Sequence, residues 1–205
     1  TDTNLRAKSD DELIASFGHR NKVIRQTAVR VLGDRLLDGD HASRDEIIES
    51  LRTIALDPES STSLEALWTL HWAGEFDFAL ADQLLDHPDE HVRRWTIRLL
   101  GDHHRLNDTL AARLAGLAET EPYVQVRSQL ETQYALPIIA SLVRRDEDRT
   151  DLHMPLLLWW AVEAHCGEGR EQVLALFSDE QFWNVPLVQE IILSRLMQRF
   201  AMDDV

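Results

Sequence analysis

Two stretches of this chain repeat one another closely at a long interval. Residues 24–34 have the sequence IRQTAVRVLGD, and residues 92–102 have the sequence VRRWTIRLLGD. Most of their positions are identical or exchange one aliphatic residue for another. A third copy begins at Val126-Arg127, 34 residues beyond Val92-Arg93, and a more diverged copy covers 64–70. A period of about 34 residues is typical of repeats that are built from two helices.

The copy over 79–104 shows how each repeat is built. Apolar residues at helical spacing form one stripe on each of two helices, and Pro88 interrupts the chain between them. Asp89 is placed to cap the second helix, and Gly101 is placed to end it. Such a hairpin cannot bury its apolar stripe alone, so these repeats stack in arrays.

The rest of the chain carries the same helical pattern. Gly and Pro number only 8 and 6, which is too few for the frequent turns of a strand-rich fold. Pro137 is expected to kink or break a helix that begins near Tyr123, and 144–149 is expected to be a solvated charged connection. We predict an all-α protein, an α-α superhelix of about five or six hairpins that forms a single domain over 1–205. The predicted helices cover 10–17, 22–37, 44–56, 62–73, 77–86, 90–103, 108–119, 123–146, 154–165, 169–177 and 186–201.

The second copy also matches a known repeat pattern. Its frame, Asp89-x-x-Val92-Arg93-x-x-Thr96-x-x-Leu99-Leu100-Gly101, resembles the consensus of HEAT repeats, which resemble armadillo repeats in fold. A narrower resemblance runs from about residue 64 to 165 and rests on ALWTL at 66–70, PDEHVRR at 88–94, VRSQL at 126–130 and HMPLLLWWA at 153–161. These segments are similar to the helical-repeat part of large exported planctomycete proteins that are described as membrane-bound dehydrogenases with a haem-binding domain.

The narrower resemblance implies a particular setting. In that family a β-propeller resembling sugar dehydrogenases precedes the repeats, and a cytochrome c module with Cys-x-x-Cys-His follows them. A haem attachment motif needs two thiols, and Cys166 is the one cysteine of this chain, so no cofactor is expected here. The chain begins at Thr1 without Met, so we expect a piece of a larger protein. The resemblance implies that this larger protein is exported (periplasm or cell surface).

The net charge of the chain restricts the kinds of partner that it is expected to bind. The formal net charge is -15, with 21 Lys and Arg against 36 Asp and Glu. Nucleic-acid binding needs a basic stripe that neutralises phosphates, so no nucleic-acid partner is expected. The longest apolar run, 155–162, is too short to cross a bilayer, and no membrane insertion is expected. The remaining candidates are flanking domains of the parent protein or another protein.

No group of residues in the sequence forms a persuasive catalytic or metal site. His87 and His91 are four residues apart, but Pro88 lies between them and disturbs a helical geometry. The adjacent pair at 103–104 points to different faces of a helix end. The pair at 165–166 joins a histidine to a thiol, but a thiol nucleophile also needs an orienting group and an oxyanion hole. We therefore predict no catalytic residue and no metal ligand.

Some residues recur at one position of the repeat and are predicted to be structural. An arginine in this place of a HEAT array usually pairs with an acid or caps the adjacent turn, and we favour that role over a ligand-binding groove. Tryptophans at core spacing on the repeat helices, Trp72 included, are expected to pack between repeats. The structural positions predicted in this way are Arg25, Arg93, Arg127, Asp89, Trp68 and Trp95.

Four residues are candidates for an interaction surface. Trp159 and Trp160 are adjacent and therefore about 100° apart on a helix, so both can be buried only where two surfaces meet. One of them is expected to face a neighbouring domain, because tryptophan is enriched at interface hot spots. Arg30 and Arg98 recur in the repeats and are expected to be exposed.

Three functional hypotheses follow. The first is a non-catalytic scaffold or docking domain in a larger exported redox protein, as the resemblance implies. The second is a free-standing interaction module that binds a peptide or a basic protein, because the chain is acidic and solenoids form grooves. The third is a helical-repeat enzyme of the DNA glycosylase kind, which the acidic charge disfavours.

Overall fold

The structure, a computed structural model, describes residues 4–38, 42–102, 107–130, 136–167 and 169–203. These residues form α-helices with short 3₁₀ and π-helical turns and contain no β-strand, so the all-α prediction is confirmed. The described α-helices, α1 to α12 in chain order, are Asp10–Ala15, Lys22–Leu37, Arg44–Leu56, Ser63–Trp72, Phe78–Leu84, Glu90–Asp102, Asp108–Thr120, Val124–Leu130, Leu136–Val143, Met154–Ala164, Arg170–Leu176 and Leu193–Asp203.

Polar side chains fix where several of these helices begin. Ser9 and Glu12 form a reciprocal capping box at the start of α1. Asn21, Asp77 and Asn107 accept a backbone N–H at the starts of α2, α5 and α7, respectively. Each of these bonds satisfies a donor that the first helical turn cannot pair by itself, so the sequence sets the helix boundaries locally.

The chain folds into two compact units, with the boundary between Leu99 and Leu100 in α6. In the first unit α4 packs against both α2 and α3, and α1 packs against α2. Fully buried side chains of these helices form its core: Leu32, Leu36, Leu51, Leu67 and Leu70. The unit is thus held together by helix pairs close in sequence.

The second unit is organised around α9. This helix packs against α7 and also contacts α8, α10 and α11, while α10 contacts α12 and the π-helical turn Val188–Ile192. Its core includes Leu114, Ile138, Leu142, Leu158 and Val162. The apolar run of α9 supplies several of the buried side chains that its neighbours cover.

Most predicted helices agree with the structure to within a few residues, and those over 22–37 and 44–56 coincide with α2 and α3. The helix predicted over 123–146 ends too late, because α9 ends at Val143. The kink or break was predicted at Pro137; the structure describes α8 up to Leu130 and α9 from Leu136, and 131–135 lie outside the described residues. Pro137 is the second residue of α9, where its missing N–H costs no helical hydrogen bond.

The prediction that 144–149 is solvated is wrong for one residue. Asp148 is 1% exposed and lies in a short 3₁₀ turn. Its carboxylate is buried because the side chain of Arg127 reaches it, as described below. The expectation of one continuous repeat array over 1–205 stays a prediction.

Candidate functional site

The three repeat arginines make the same backbone contacts. Nη1 of Arg25 donates to the carbonyl oxygens of His19 and Arg20 at 2.9 and 3.5 Å. Nη1 of Arg93 donates to His87 O and Pro88 O at 2.8 and 3.0 Å. Nη1 of Arg127 donates to Glu121 O and Pro122 O at 2.9 and 2.8 Å. In each case the acceptors are the sixth and fifth residues before the arginine. Each arginine therefore ties its own helix to the turn that precedes it.

Arg25 and Arg127 also reach distant carboxylates. Arg25 Nε donates to Glu65 Oε1 at 3.0 Å, which joins α2 to α4. Arg127 forms a bidentate pair with Asp148, through Nε to Oδ2 at 2.7 Å and through Nη2 to Oδ1. Burial lowers the pKa of Arg127, but the Asp148 carboxylate outweighs it and holds that pKa above the ordinary value. This geometry fits the structural role that the repeat position predicts.

Asp89 lies at the start of α6, where its Oδ1 accepts the backbone N–H of His91 at 2.8 Å. That bond is the helix cap which the sequence predicts. The backbone N–H of Asp89 in turn donates to His87 Nδ1 at 3.1 Å, and Nε2 of the same buried ring lies 3.3 Å from Asp57 O. Both ring nitrogens of His87 are thus used within the protein.

The tryptophans of the first unit have distinct environments. Trp68 and Trp95 meet edge to face, with ring centroids 5.2 Å apart, so both predicted positions lie between helices. Trp72 of α4 packs against α2, which carries another copy of the repeat, but 48% of it is exposed. Its ring lies across α2 at Gly33, and Nε1 donates to Asp34 Oδ1 at 2.8 Å. In the first repeat, both residues of the recurring Gly-Asp pair therefore contact the indole of Trp72.

The four candidate interaction residues are divided between the two units, with Arg30 and Arg98 in the first and Trp159 and Trp160 in the second. Arg30 and Arg98 are exposed on α2 and α6, and the Arg98 guanidinium lies 5.2 Å from the ring centroid of Trp95. On α10, Trp159 is 6% exposed and Trp160 is 57% exposed. The geometry of adjacent helical positions thus separates the two tryptophans, and Trp160 is the one that presents its ring to the surface.

Trp160 borders a groove of about 320 Å³ between α8 and α10. Most of the surface inside the groove is apolar and comes from both helices. This groove cannot be recognised in the sequence, since its two sides come from helices separated by 131–153. The described residues that line it are Val124, Gln125, Ser128, Asp151, His153, Met154, Leu156, Leu157 and Trp160.

One carboxylate is fixed at the edge of this groove. Asp151 Oδ1 accepts the backbone N–H groups of His153 and Met154 at 2.8 and 2.9 Å, which caps the start of α10. The bonds from Met154 and His153 hold the pKa of Asp151 below its ordinary value. The groove therefore combines an apolar floor, an exposed indole and a carboxylate that is ionised at neutral pH.

The adjacent histidine and cysteine at 165–166 do not line this groove. Cys166 is buried, with Sγ 3.5 Å from Val162 O, and burial lowers the pKa of the adjacent His165. Among the residues that the structure describes, no group of three or more His, Cys, Asp or Glu is placed to hold a metal ion. The pair at 103–104 lies outside the described residues.

Compared with known proteins, the chain matches no family model, no curated protein and no solved structure. The resemblance to the exported dehydrogenase family therefore stays a prediction. No α-helix in the described part of the chain is both long enough and apolar enough to span a bilayer.

Proposed function

We propose that this chain is a non-catalytic docking domain that binds another protein domain through the groove between α8 and α10. The observation that carries the proposal is Trp160, a large indole that is 57% exposed beside a groove with an apolar lining. Exposed apolar patches with a polar rim mark interaction sites, and tryptophan is enriched among residues that dominate binding energy. Asp151 and Gln125 supply such polar groups at this groove.

The helices around the groove are proposed to form part of a HEAT-like superhelix. The support is the shared contact pattern of Arg25, Arg93 and Arg127, because equivalent residues of stacked repeats make equivalent bonds. Such an array gives a rigid surface that presents side chains in fixed positions. A rigid surface suits a scaffold, since little conformational entropy is lost when a partner binds.

The setting that we propose is a larger exported redox protein, with a propeller and a cytochrome c module as flanking domains. It rests on the sequence resemblance. A free-standing module that binds a basic protein is the alternative, favoured by the net charge of -15. The visible absorption spectrum of the parent protein from its native host, with and without reductant, separates the two. A c-type haem spectrum on a much longer chain supports the redox setting, and a colourless chain of about this length supports the alternative.

Docking itself is tested by site-specific crosslinking. A photoreactive phenylalanine analogue replaces Trp160 in the organism that encodes the chain, and Leu174 is replaced as the control. Leu174 is also exposed but lies on α11 and is not among the residues that line the groove. We expect a discrete crosslinked product from position 160 and none from position 174.

The partner domain identified by mass spectrometry is then titrated against the purified chain. Truncation of a hot-spot tryptophan costs about 2 kcal/mol or more, so Trp160→Ala should weaken binding about 30-fold. Absence of a crosslink at position 160, or equal crosslinking at both positions, contradicts docking through this groove.

A further inference from the structure

We propose that the groove between α8 and α10 takes a segment of a partner protein that carries a bulky apolar side chain next to an arginine or lysine. This inference rests on the proposed docking function and names the chemistry of the partner. It is carried by two features of the same groove, its size and lining and its charge.

The size and the apolar lining of the groove suit the insertion of one or two side chains of a partner. The groove has a volume of about 320 Å³, at the lower end of the range of about 300–1,000 Å³ that is usual for ligand pockets. Val124, Met154, Leu156 and Leu157 make most of it apolar. An aliphatic or aromatic side chain would bury itself there, since burial of apolar area is the main driving force for association.

The charge of the groove favours a partner that carries a cationic group beside its apolar side chain. Asp151 lines the groove beside one other titratable residue, His153, and no Lys or Arg does so among the residues described there. Its carboxylate is held in place by the N–H groups of His153 and Met154, so it needs no reordering to accept a partner. The exposed face of the Trp160 ring offers a second attraction for a guanidinium or an ammonium.

The net charge of the whole chain also favours a cationic partner. Acidic residues outnumber basic ones by 36 to 21, so a basic partner is attracted towards the molecule and an acidic one is repelled. Charge thus separates the proposed occupant from an acidic peptide of equal hydrophobicity. It also disfavours a second copy of this chain, which carries the same excess of negative charge.

The probes are short Gly/Ser peptides, blocked at both ends, whose central pair is Leu-Arg, Leu-Gln, Leu-Glu or Ser-Arg. Binding to the full chain is followed by NMR through the indole N–H signals of the six tryptophans, and Trp160→Phe assigns the signal of interest. We expect the Leu-Arg peptide to shift the Trp160 signal and to bind about 3- to 10-fold tighter than Leu-Gln. Leu-Glu and Ser-Arg should bind more weakly than Leu-Arg.

Two variants that each remove one negative charge show whether the preference for the Leu-Arg peptide arises in the groove. Asp151→Asn removes the charge but keeps an oxygen that can cap α10, and it should abolish the preference for Leu-Arg over Leu-Gln. Glu171→Gln removes one charge from an exposed position on α11 outside the groove lining, and it should leave the preference intact. Equal loss in both variants would mean a general charge effect and would overturn the assignment to this groove.

The remaining outcomes are distinct. Equal binding of the Leu-Arg, Leu-Gln and Leu-Glu peptides overturns the cationic partner but leaves docking through the groove in place. No shift of the Trp160 signal with any peptide also overturns the inference, and crosslinking from position 160 then decides the docking function separately. A Trp160 signal that moves with protein concentration alone identifies a second copy of the chain as the occupant and contradicts the proposal.

Discussion

Arg25 and Arg127 make the same backbone contacts but differ in how much water reaches them. The side chain of Arg25 is 30% exposed, whereas those of Arg127 and Asp148 are 4% and 1% exposed. A desolvated ion pair is costly to break, because removal of one partner leaves a buried charge without compensation. The arginine at this repeat position therefore contributes to the free energy of unfolding by very different amounts in the two units.

The buried pair gives a prediction at the residue scale. Asp148→Asn should lower the free energy of unfolding by about 3–5 kcal/mol, because the Arg127 charge stays buried without its counterion. Glu147→Gln, at the preceding residue, is the control. Its carboxylate pairs with Arg145 but is 56% exposed, so its loss should cost less than about 1 kcal/mol.

Urea denaturation of both variants at neutral pH measures the two costs. Similar small costs for Asp148→Asn and Glu147→Gln would show that the Arg127 pair is solvated in solution and would contradict the buried geometry.

Only one member of the Arg127–Asp148 pair can be recognised in the sequence. Repetition at a fixed period identifies Arg127 as structural, since it recurs with Arg25 and Arg93. It does not identify Asp148, which stands in a run of charged residues that looks solvated. Periodicity reports the face on which a residue lies, and it carries no information on which distant side chain meets that face. The groove beside Trp160 cannot be recognised in the sequence for the same reason.

At the scale of the helix, α4 ends at a backbone geometry that only glycine adopts easily. Gly74 has φ +77°, its N–H donates to His71 O at 3.1 Å, and Glu75 N–H donates to Leu70 O at 2.8 Å. This is the paired bonding of a Schellman motif. A Cβ at Gly74 would meet no atom within 4 Å, so any cost of a side chain there comes from the backbone.

We therefore predict opposite effects of one substitution at two glycines. Gly74→Ala should destabilise the protein by about 1–2 kcal/mol, because an L residue is strained at positive φ. Gly116→Ala, in the interior of α7 and also without a close neighbour, should stabilise it by about 0.5–1 kcal/mol through helix propensity. Thermal unfolding followed by circular dichroism measures both. Equal signs for the two variants would contradict the assignment of α4's end.

The pairing of α2 with α4 depends on close approach at a second glycine. A Cβ at Gly33 would lie 2.7 Å from Cδ1 and 2.9 Å from Cβ of Trp72. The Trp72 Cβ cannot retreat without moving the α4 backbone, so a side chain at Gly33 must displace the helix or the ring. The recurring Gly-Asp pair of the sequence repeats thus has a packing reason in this copy.

A double-mutant cycle tests this contact. Gly33→Ala should cost about 1–3 kcal/mol in the native background, because it overpacks the junction. In a Trp72→Ala background the same substitution should stabilise the protein by about 0.5–1 kcal/mol, since the clash is gone and alanine favours the helix. Chemical denaturation of the four proteins gives the coupling energy. A coupling near zero would show that the indole does not rest on Gly33.

Helix positions were far more predictable than helix contacts. The bounds of α2 and α3 follow from apolar spacing and from local signals such as Asn21, which caps its own helix. Such signals act over a few residues and can be recognised in the sequence. The spacing of Trp72 predicts that it packs between helices, but it does not predict that 48% of the residue is exposed, because its ring lies at the edge of a helix pair against Gly33 on a different helix.

At the scale of the whole molecule, the excess of negative charge opposes the compact state. With 36 acidic and 21 basic residues, folding brings like charges closer than they are in the unfolded chain. Two like charges 10 Å apart in water repel by about 0.4 kcal/mol, and a net charge of -15 sums many such pairs. Exposed ion pairs act against this repulsion, but each contributes only about 0.2–1 kcal/mol.

Salt should therefore stabilise the fold and weaken the proposed docking. Raising NaCl from about 0.01 to 0.15 M shortens the screening length from about 30 to 8 Å, which removes most of the repulsion between distant surface charges. We expect the melting temperature at neutral pH to rise over this range, and KCl should act equally if screening is the cause. A melting temperature that falls with salt would mean that ion pairs such as Arg25–Glu65 outweigh the net charge. Binding of a basic partner should change in the opposite direction, because the attraction between partners is screened by the same ions.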